Sequence, residues 1–295
     1  MLLSQTNGPL LTRCGSVKET IRRVREAGFT CVDISFFMSF LKGSPYFEED
    51  YRKNIVREYK EALAEYGVTP VQSHEPTSNA IGDDNGGYYY VKACCAMPMA
   101  GEIGCKSYTV HPGKYNDRPM SKDEFIEKNV ASIGRLIPMA EKYNMPILVE
   151  NLGYPGEGSY TTNADELCEL VDAFDHPLVA ANWDVGHANL YGNDQYESIL
   201  KLGKRLQGLH VHDNRGFIPC AETPFKWDLH LPPFLGNIDF EAVMRALKEI
   251  NYKGTLNFEA GYPLRPFFDA DMVTEQYKLL YKSGKKLLAY YESCK

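Results

Sequence analysis

The sequence predicts a single (β/α)₈ barrel that spans residues 1–295. Short β-rich runs alternate strictly with longer helical patterns, and this alternation is typical of a parallel sheet with helices outside it. Several strand candidates are uninterrupted apolar runs, such as Ile147-Leu148-Val149, as expected for strands that are covered on both faces. A chain of 295 residues is ordinary for one barrel of this class.

Eight strand candidates follow one another along the chain. This number favours the closed barrel over an open doubly wound sheet, which remains the alternative. An open sheet usually carries a glycine-rich first turn for its cofactor, and neither GxGxxG nor GxxxxGK[ST] occurs in the sequence. The strand candidates are Leu2–Gln5, Thr30–Ser35, Thr69–Ser73, Ser107–His111, Ile147–Glu150, Val179–Asp184, Gln207–His212 and Thr255–Glu259.

The helix candidates between these strands carry start and stop signals. The first, Ser16–Ala27, opens on Ser16 with Glu19 three residues later, which is a capping box. The others are Glu48–Tyr66, Gly87–Gly104, Ser121–Tyr143, Asn163–Phe174, Gln195–Gly203, Asp239–Ile250 and Asp271–Tyr291.

Composition narrows the partners that we expect. The net charge of −7 argues against nucleic acid or an anionic membrane, because both are bound through basic surfaces. No apolar run approaches the length of a membrane span, and the first residues lack the pattern of a signal peptide. The eight cysteines are scattered without a CxxC pair, which is typical of reduced thiols. We therefore expect a cytoplasmic protein.

Ionisable residues collect where the predicted strands end. Six of the seven histidines lie on this face, and only His176 lies elsewhere. Active sites of these barrels lie at the C-terminal ends of the strands, so the clustering predicts the active site. The residues are His74, His111, Glu150, Asp184, His187, His210, His212, Asp228, His230 and Glu259.

Two of these residues predict a metal ion. Glu150 and Glu259 each close an apolar strand and would share a low-dielectric mouth. Two carboxylates are costly to bury side by side unless a cation compensates them, and the nearby imidazoles fit a metal. Any one of the residues, taken alone, is equally well explained as a hydrogen-bonded structural residue or a helix cap.

Taken together and in order, five segments resemble the xylose isomerase-like barrel superfamily over nearly the whole chain. This superfamily unites sugar isomerases and epimerases with the class-II apurinic endonucleases. The segments are Val149-Glu150-Asn151, Trp183-Asp184-Val185-Gly186-His187, Leu209-His210-Val211-His212-Asp213, Asp228-Leu229-His230-Leu231-Pro232-Pro233 and Phe258-Glu259.

The resemblance to tagatose 3-epimerase-like members implies a (β/α)₈ TIM barrel with one divalent ion, Mn²⁺, Zn²⁺, Co²⁺ or Mg²⁺. By motif its ligands are Glu150, Asp184, His210 and Glu259. The His-x-x-acid pattern selects His210 over His212. Glu150 and Glu259 would move the proton of a sugar or sugar phosphate through an enediolate. Homo-oligomers are common in the family, and the sequence leaves the oligomeric state open.

The sequence also predicts substrate contacts. By resemblance, His187 and Arg215 would bind the substrate. The glycines after strands seven and eight are isolated, which favours an unphosphorylated substrate or a cationic clamp by Arg215 or Arg265. Four aromatic side chains would shield the site from water, although core packing explains each of them equally well. They are Phe36, Phe37, Trp183 and Trp227. The full set of predicted substrate contacts is His74, His111, His187, His212, His230 and Arg215.

Three other functions are open. A dehydratase would use the same proton abstraction, and a structural metal would need no reaction. The third is a phosphodiesterase with three zinc ions, since every one of the nine endonuclease ligand types has a counterpart in this chain. Against it, Glu75-Pro76-Thr77 lacks the tyrosine that usually follows His74 in the endonucleases, and the loop is acidic.

Overall fold

The computed structural model describes residues 1–82, 84, 86–153, 160–217, 228–261 and 269–294. Eight parallel strands close into a barrel in chain order, with the last strand pairing with the first, as the sequence predicts. The strands are β1 (Leu2–Thr6), β2 (Cys31–Ser35), β3 (Thr69–His74), β4 (Tyr108–Val110), β5 (Ile147–Glu150), β6 (Val179–Asp184), β7 (Leu206–Val211) and β8 (Thr255–Phe258).

Eleven α-helices lie within the described ranges, and none of them is long and apolar enough to cross a membrane. They are α1 (Gly8–Cys14), α2 (Val17–Glu26), α3 (Glu49–Tyr66), α4 (Gly87–Ile103), α5 (Lys122–Ile133), α6 (Ile137–Tyr143), α7 (Ala164–Ala173), α8 (Val185–Leu190), α9 (Gln195–Leu202), α10 (Phe240–Glu249) and α11 (Ala270–Ser293).

Several predicted helix starts are confirmed, and a side chain caps the first turn of each. Ser16 Oγ accepts a hydrogen bond from the backbone N of Glu19 at 3.3 Å, which satisfies one of the free amides of the first turn. The predicted helix over 121–143 is instead divided into α5 and α6 by a 3₁₀ turn at Gly134–Leu136. Pro138 explains the division, because a proline ring clashes with the carbonyl four residues earlier.

The strand register decides which side chains meet inside the barrel. Paired residues of parallel strands face the same side, and Asp184 pairs with His210, which pairs with Asn257. The alternate residues, such as Trp183, face the helices and belong to the apolar core. Asp184, His210 and Asn257 therefore form one level of the barrel interior, immediately below its C-terminal mouth.

Candidate metal centre

The centre of the mouth holds the four predicted metal ligands. One ligand atom from each of Glu150, Asp184, His210 and Glu259 lies within 4.8 Å of the others. His210 Nδ1 is 2.9 Å from Glu150 Oε2, 3.4 Å from Glu259 Oε2 and 3.9 Å from Asp184 Oδ2. We call these four residues the central group. The strands β5 to β8 bring them together because each ligand lies in the last two residues of one of these strands or directly follows it.

The donor set of the central group fits a divalent cation. Glu150, Asp184 and His210 are fully buried, and the Glu259 side chain is 13 % exposed. Glu150 Oε1 and His210 Nδ1 are buried without a hydrogen-bond partner, which is costly for polar atoms. Three carboxylates and one imidazole are typical ligands of Zn²⁺ or Mn²⁺, and an ion would satisfy these atoms.

The environment of His210 fixes its orientation. Its Nε2 lies 2.6 Å from Gln72 Nε2 on β3, which leaves Nδ1 to face the three carboxylates. A neutral imidazole that ligates through Nδ1 carries its proton on Nε2, so the Gln72 amide would then present its oxygen to the ring. Gln72 therefore orients His210 from outside the central group, as is usual for metal-bound histidines.

A flanking group lies towards β3 and β4. Its members His74, His111 and Glu150 also bring one ligand atom each within 4.8 Å. His111 Nε2 is 3.7 Å from Glu150 Oε2, and His74 Nε2 is 3.9 Å from Glu259 Oε1. We call this the β3–β4 group. Because it shares Glu150 with the central group, the two are adjacent.

Glu75 orients both histidines of the β3–β4 group. Its buried carboxylate oxygen Oε1 accepts from the backbone N of His111 at 2.7 Å and lies 3.3 Å from His111 Nδ1. Its backbone oxygen accepts from His74 Nδ1 at 2.9 Å. Both rings therefore turn Nε2 towards the interior of the mouth. Such outer hydrogen bonds fix the tautomer of metal-bound histidines, and sequence reasoning had assigned Glu75 only to an acidic loop.

A second flanking group lies towards β7 and the segment after it. His187, His212, Asp228 and His230 again lie within the 4.8 Å limit, and we call them the β6–β7 group. Asp228 Oδ2 is 3.0 Å from His230 Nε2 and 3.4 Å from His187 Nε2. His187 Nδ1 donates to the backbone oxygen of Asn151 at 2.9 Å, so its Nε2 also faces the group.

His212 belongs to this second flanking group rather than to the central group. Its Nε2 is 3.0 Å from Asp184 Oδ1 and 3.8 Å from Asp228 Oδ1. A Cβ added at Gly186 would stand 1.9 Å from His212 Cε1, so only glycine leaves room for this ring. The position of His212 explains why Gly186 lies in the strand-six segment, and it is consistent with the choice of His210 for the central group.

The buried carboxylates control the charge of the imidazoles. Burial opposes a charged His210, but Glu150 and Glu259 outweigh it and raise the pKa of His210 to about 10. In the same way Glu150 raises the pKa of His111 to about 10, and Asp228 raises that of His230 to about 9. Burial likewise opposes ionisation of Glu150, yet His210 and His111 hold its pKa well below the usual range. The buried carboxylates thus favour the protonated form of these imidazoles.

The remaining predicted residues divide between the site and its surroundings. Arg215 is exposed and lines a separate cavity of about 600 Å³ with Asn189 and Tyr191, so its grip on a substrate stays a prediction. Phe36 is buried in the core, and Trp183 Nε1 donates to Gln195 there, so packing explains both aromatic side chains. Phe37 instead contacts the ring of His74 edge-on, with 5.5 Å between centroids. Trp227 and Arg265 lie outside the described residues.

This chain belongs to the xylose isomerase-like TIM barrel family, which matches residues 21–282. An L-ribulose 3-epimerase from Methylomonas is 27 % identical over 215 residues, covering 70 % of this chain and 67 % of that protein. An inosose dehydratase from Clostridium tetani is 27 % identical over 154 residues, covering 50 % of each. The chain spans about half the length of the first curated relatives that it matches.

Solved structures share the fold. A zinc-bound IOLI protein superposes with a TM-score of 0.78 over 99 % of this chain and 100 % of its own, at 19 % identity. Relatives of this chain thus include sugar epimerases and a dehydratase.

Proposed function

We propose that this protein is a metal-dependent epimerase or isomerase of a sugar or sugar phosphate, which moves a proton beside a carbonyl. The observation that carries the proposal is the central group, in which the carboxylates of Glu150 and Glu259 approach the same nitrogen of His210 from two strands. Asp184 supplies a third carboxylate at the same level. A small polyhydroxylated ketone fits such a site better than an apolar ligand.

The divalent ion would be held by Glu150, Asp184, His210 and Glu259. When bound, it supplies Lewis-acid polarisation of the substrate carbonyl, which acidifies the neighbouring C–H bond. Zn²⁺ in the IOLI relative supports a divalent ion, and Mn²⁺, Co²⁺ and Mg²⁺ fit the same donor set.

The two glutamates would carry the proton. One carboxylate removes it from the carbon beside the carbonyl to form an enediolate, and the other returns a proton from the opposite face. Glu259, as the partly exposed member of the pair, exchanges its proton with water more readily than the buried Glu150. His187 and Arg215 are the proposed donors to the enediolate oxygens.

The substitution Glu259→Gln tests this role. It keeps the shape of the side chain and removes the base, so turnover should fall by about 10²–10⁴-fold, the usual contribution of general acid–base catalysis. The measurement is epimerisation of D-tagatose, D-fructose and L-ribulose in D₂O, with NMR detection of deuterium beside the carbonyl. The matched control is Glu141→Gln on α6, which contacts His176 and lies far from the mouth. Wild-type turnover without deuterium incorporation would count against this proton transfer.

Dehydration is the second candidate reaction, and the inosose dehydratase relative supports it. It begins with the same proton abstraction but expels a β-hydroxyl group instead of returning the proton. Product analysis by mass spectrometry separates the two reactions, because dehydration lowers the product mass by one water and epimerisation leaves it unchanged.

A hydrolase with three ions is the third candidate, and the two flanking groups favour it. Their histidines are oriented from outside as metal ligands usually are, whereas a one-ion enzyme needs His74, His111 and His230 only as sugar contacts. Metal counting decides between them, because one ion per chain supports the epimerase and three support the hydrolase. The sugar proposal would be wrong if His74→Ala lost one ion and the wild type cleaved abasic DNA in a zinc-dependent reaction. Both results would support the hydrolase.

A further inference from the structure

A second set of buried polar side chains lies inside the barrel, on strands β8, β1 and β2. Ser4 pairs with Asn257 across β1 and β8, and Thr6 pairs with Asp33 across β1 and β2. Asn257 in turn pairs with His210, which faces the barrel interior. Paired residues of parallel strands face the same side, as do residues two apart on one strand, so all four side chains face the interior. We call Ser4, Thr6, Asp33 and Asn257 the interior group.

The polar atoms of the interior group are buried and unpaired. The relative exposure of each of the four residues is 0 %. In the described part of the chain, six of their side-chain atoms lack a hydrogen-bond partner, namely Ser4 Oγ, Thr6 Oγ1, both carboxylate oxygens of Asp33 and both polar amide atoms of Asn257. Buried polar atoms are almost always paired, because desolvation without a hydrogen bond costs free energy. These neighbouring atoms therefore call for a common partner.

Asp33 places the strongest demand on that partner, because its carboxylate can carry a charge. Burial raises the pKa of Asp33, and the charges of His74 and His210 oppose this rise. Asn257 lies near enough to lower the pKa as well, yet neither of its polar amide atoms makes a hydrogen bond. A buried carboxylate keeps its charge only when a cation or several donors compensate it. Water would satisfy the hydroxyl groups but would leave the charge of Asp33 unbalanced.

The donor atoms of the interior group select a hard cation of single charge. The group offers five oxygen atoms, two from Asp33 and one each from Ser4, Thr6 and Asn257. Oxygen ligands suit hard cations, whereas structural Zn²⁺ is usually held by thiolate or imidazole. One carboxylate balances one positive charge, so a divalent ion would leave an uncompensated charge in the interior. Na⁺ and K⁺ meet both conditions.

We propose that the interior group binds a monovalent cation, Na⁺ or K⁺, inside the barrel. This site is separate from the three metal-ligand groups, none of which includes Asp33. It adjoins them through Gln72, which pairs with Asp33 across β2 and β3 and whose amide contacts His210 at 2.6 Å. The site is independent of the reaction at the mouth, because none of its four residues is a proposed metal ligand or substrate contact.

Thermal unfolding of the Zn²⁺-loaded protein tests the site. The midpoint would be measured in KCl, in NaCl and in choline chloride at equal ionic strength, since choline is too large for the barrel interior. A ligand that binds only the folded state raises the midpoint. We expect a rise of about 3 °C or more in KCl or NaCl when the salt exceeds the dissociation constant about tenfold. Equal midpoints in the three salts, or a rise only with MgCl₂ or CaCl₂, would overturn the proposal.

Variants of the interior group locate the cation. Asp33→Asn keeps the shape of the side chain and removes its charge, so it should abolish the rise without lowering the midpoint in choline chloride. Ser4→Ala removes one neutral ligand and should weaken cation affinity by about tenfold, which provides a second readout if Asp33→Asn folds poorly. The matched control is Thr109→Val on β4, whose buried hydroxyl is also unpaired but lies outside the group. It should keep the wild-type rise.

Two outcomes would place the cation elsewhere. A rise that survives both Asp33→Asn and Ser4→Ala would overturn the proposal, because the cation would then bind another part of the protein. Glu150→Ala, which removes a ligand of the central group, should keep the rise in KCl or NaCl. Loss of the rise in this variant would assign the monovalent ion to the central group and would also overturn the proposal. Failure of the epimerase assay would leave the interior site unaffected.

Discussion

The two sides of the barrel mouth differ in chemistry. The histidines and carboxylates of the three metal-ligand groups lie at or just after the ends of strands β3 to β8. On the other side, Asn7 follows β1 and Ser35 ends β2. Asn7 Oδ1 accepts from the backbone N of Ser35 at 2.9 Å, and Asn7 Nδ2 donates to Tyr59. Beyond these two strand ends lies a cavity of about 700 Å³, lined largely by apolar side chains of α1 and of the segment after β2. One side of the mouth is therefore rich in ionisable groups, and the other side is largely apolar.

The two sides are also held differently. Each ring of the β3–β4 group is oriented by Glu75, and Asn151 fixes Asp184 by accepting from its backbone N at 2.6 Å. The cavity wall instead consists of α1 and the connection between β2 and α3, where Phe37 and Met38 are exposed. Buried hydrogen bonds therefore hold the histidines and carboxylates of the ligand groups, whereas the other side of the mouth presents partly exposed apolar side chains.

The largest expected effect is that of Glu150→Ala on metal binding. Glu150 belongs to both the central group and the β3–β4 group, so its loss removes a ligand from each. We expect metal affinity to fall by more than about 100-fold, since even changes to outer partners cost about 10–100-fold. Inductively coupled plasma mass spectrometry after dialysis measures the retained metal. Glu141→Ala serves as the control, and full occupancy in Glu150→Ala would show that the central group is not the site.

The second effect is the dependence of metal affinity on pH. The pKa values of His111 and His210 are raised to about 10, so both rings are protonated near neutral pH in the metal-free protein. A bound ion must displace these protons, and affinity should therefore fall as pH falls, by about tenfold per pH unit for each proton displaced. Zinc titrations between about pH 6 and 8, with proton release followed in buffers of different ionisation enthalpy, measure it. A flat affinity would mean that the rings are already neutral.

The third effect, that of Glu75→Gln, separates orientation from ligation. Glutamine keeps an acceptor for the backbone N of His111 but weakens the contact with its ring. We expect about a 10–100-fold loss of affinity in the β3–β4 group and little change in the central group. The readout is the number of ions bound per chain at limiting zinc. Equal weakening of every bound ion would point to a general disturbance of the barrel instead.

The strands and the residues at their ends could be predicted from the sequence for one physical reason. Residues on strands alternate between the two faces, so a polar residue at the end of an apolar strand faces the mouth whatever its loop does. Strand alternation predicted that Glu150, Asp184, His210 and Glu259 lie at the mouth, and the family resemblance selected them as the ligand set. The structure brings them together. The two short helices α1 and α8 were missed, because six or seven residues are too few to show a helical period.

The orienting contacts were beyond the sequence for a different reason. Glu75 follows β3, and its carboxylate reaches His111, which follows β4, a contact between residues 36 positions apart. Nothing in the spacing of the two residues predicts this geometry. The cavity is equally invisible, since its wall combines α1 with the segment after β2. The one signal in the sequence was an acidic residue, Glu75, directly after the strand-end histidine His74, and the acidic loop was interpreted only as unfavourable to DNA binding.

The smallest expected effect concerns the contact between Phe37 and His74, which joins the two sides. Phe37→Leu removes the ring but keeps an apolar side chain. An aromatic pair contributes about 0.5–1.5 kcal/mol, so complete loss of this contribution would lower metal affinity by up to about tenfold. Because the backbone oxygen of Glu75 already holds His74 Nδ1 at 2.9 Å, we expect a change of about threefold or less, measured by competition with a zinc chelator. A tenfold loss would mean that the cavity side helps to orient the metal ligands, and the division between the two sides would fail.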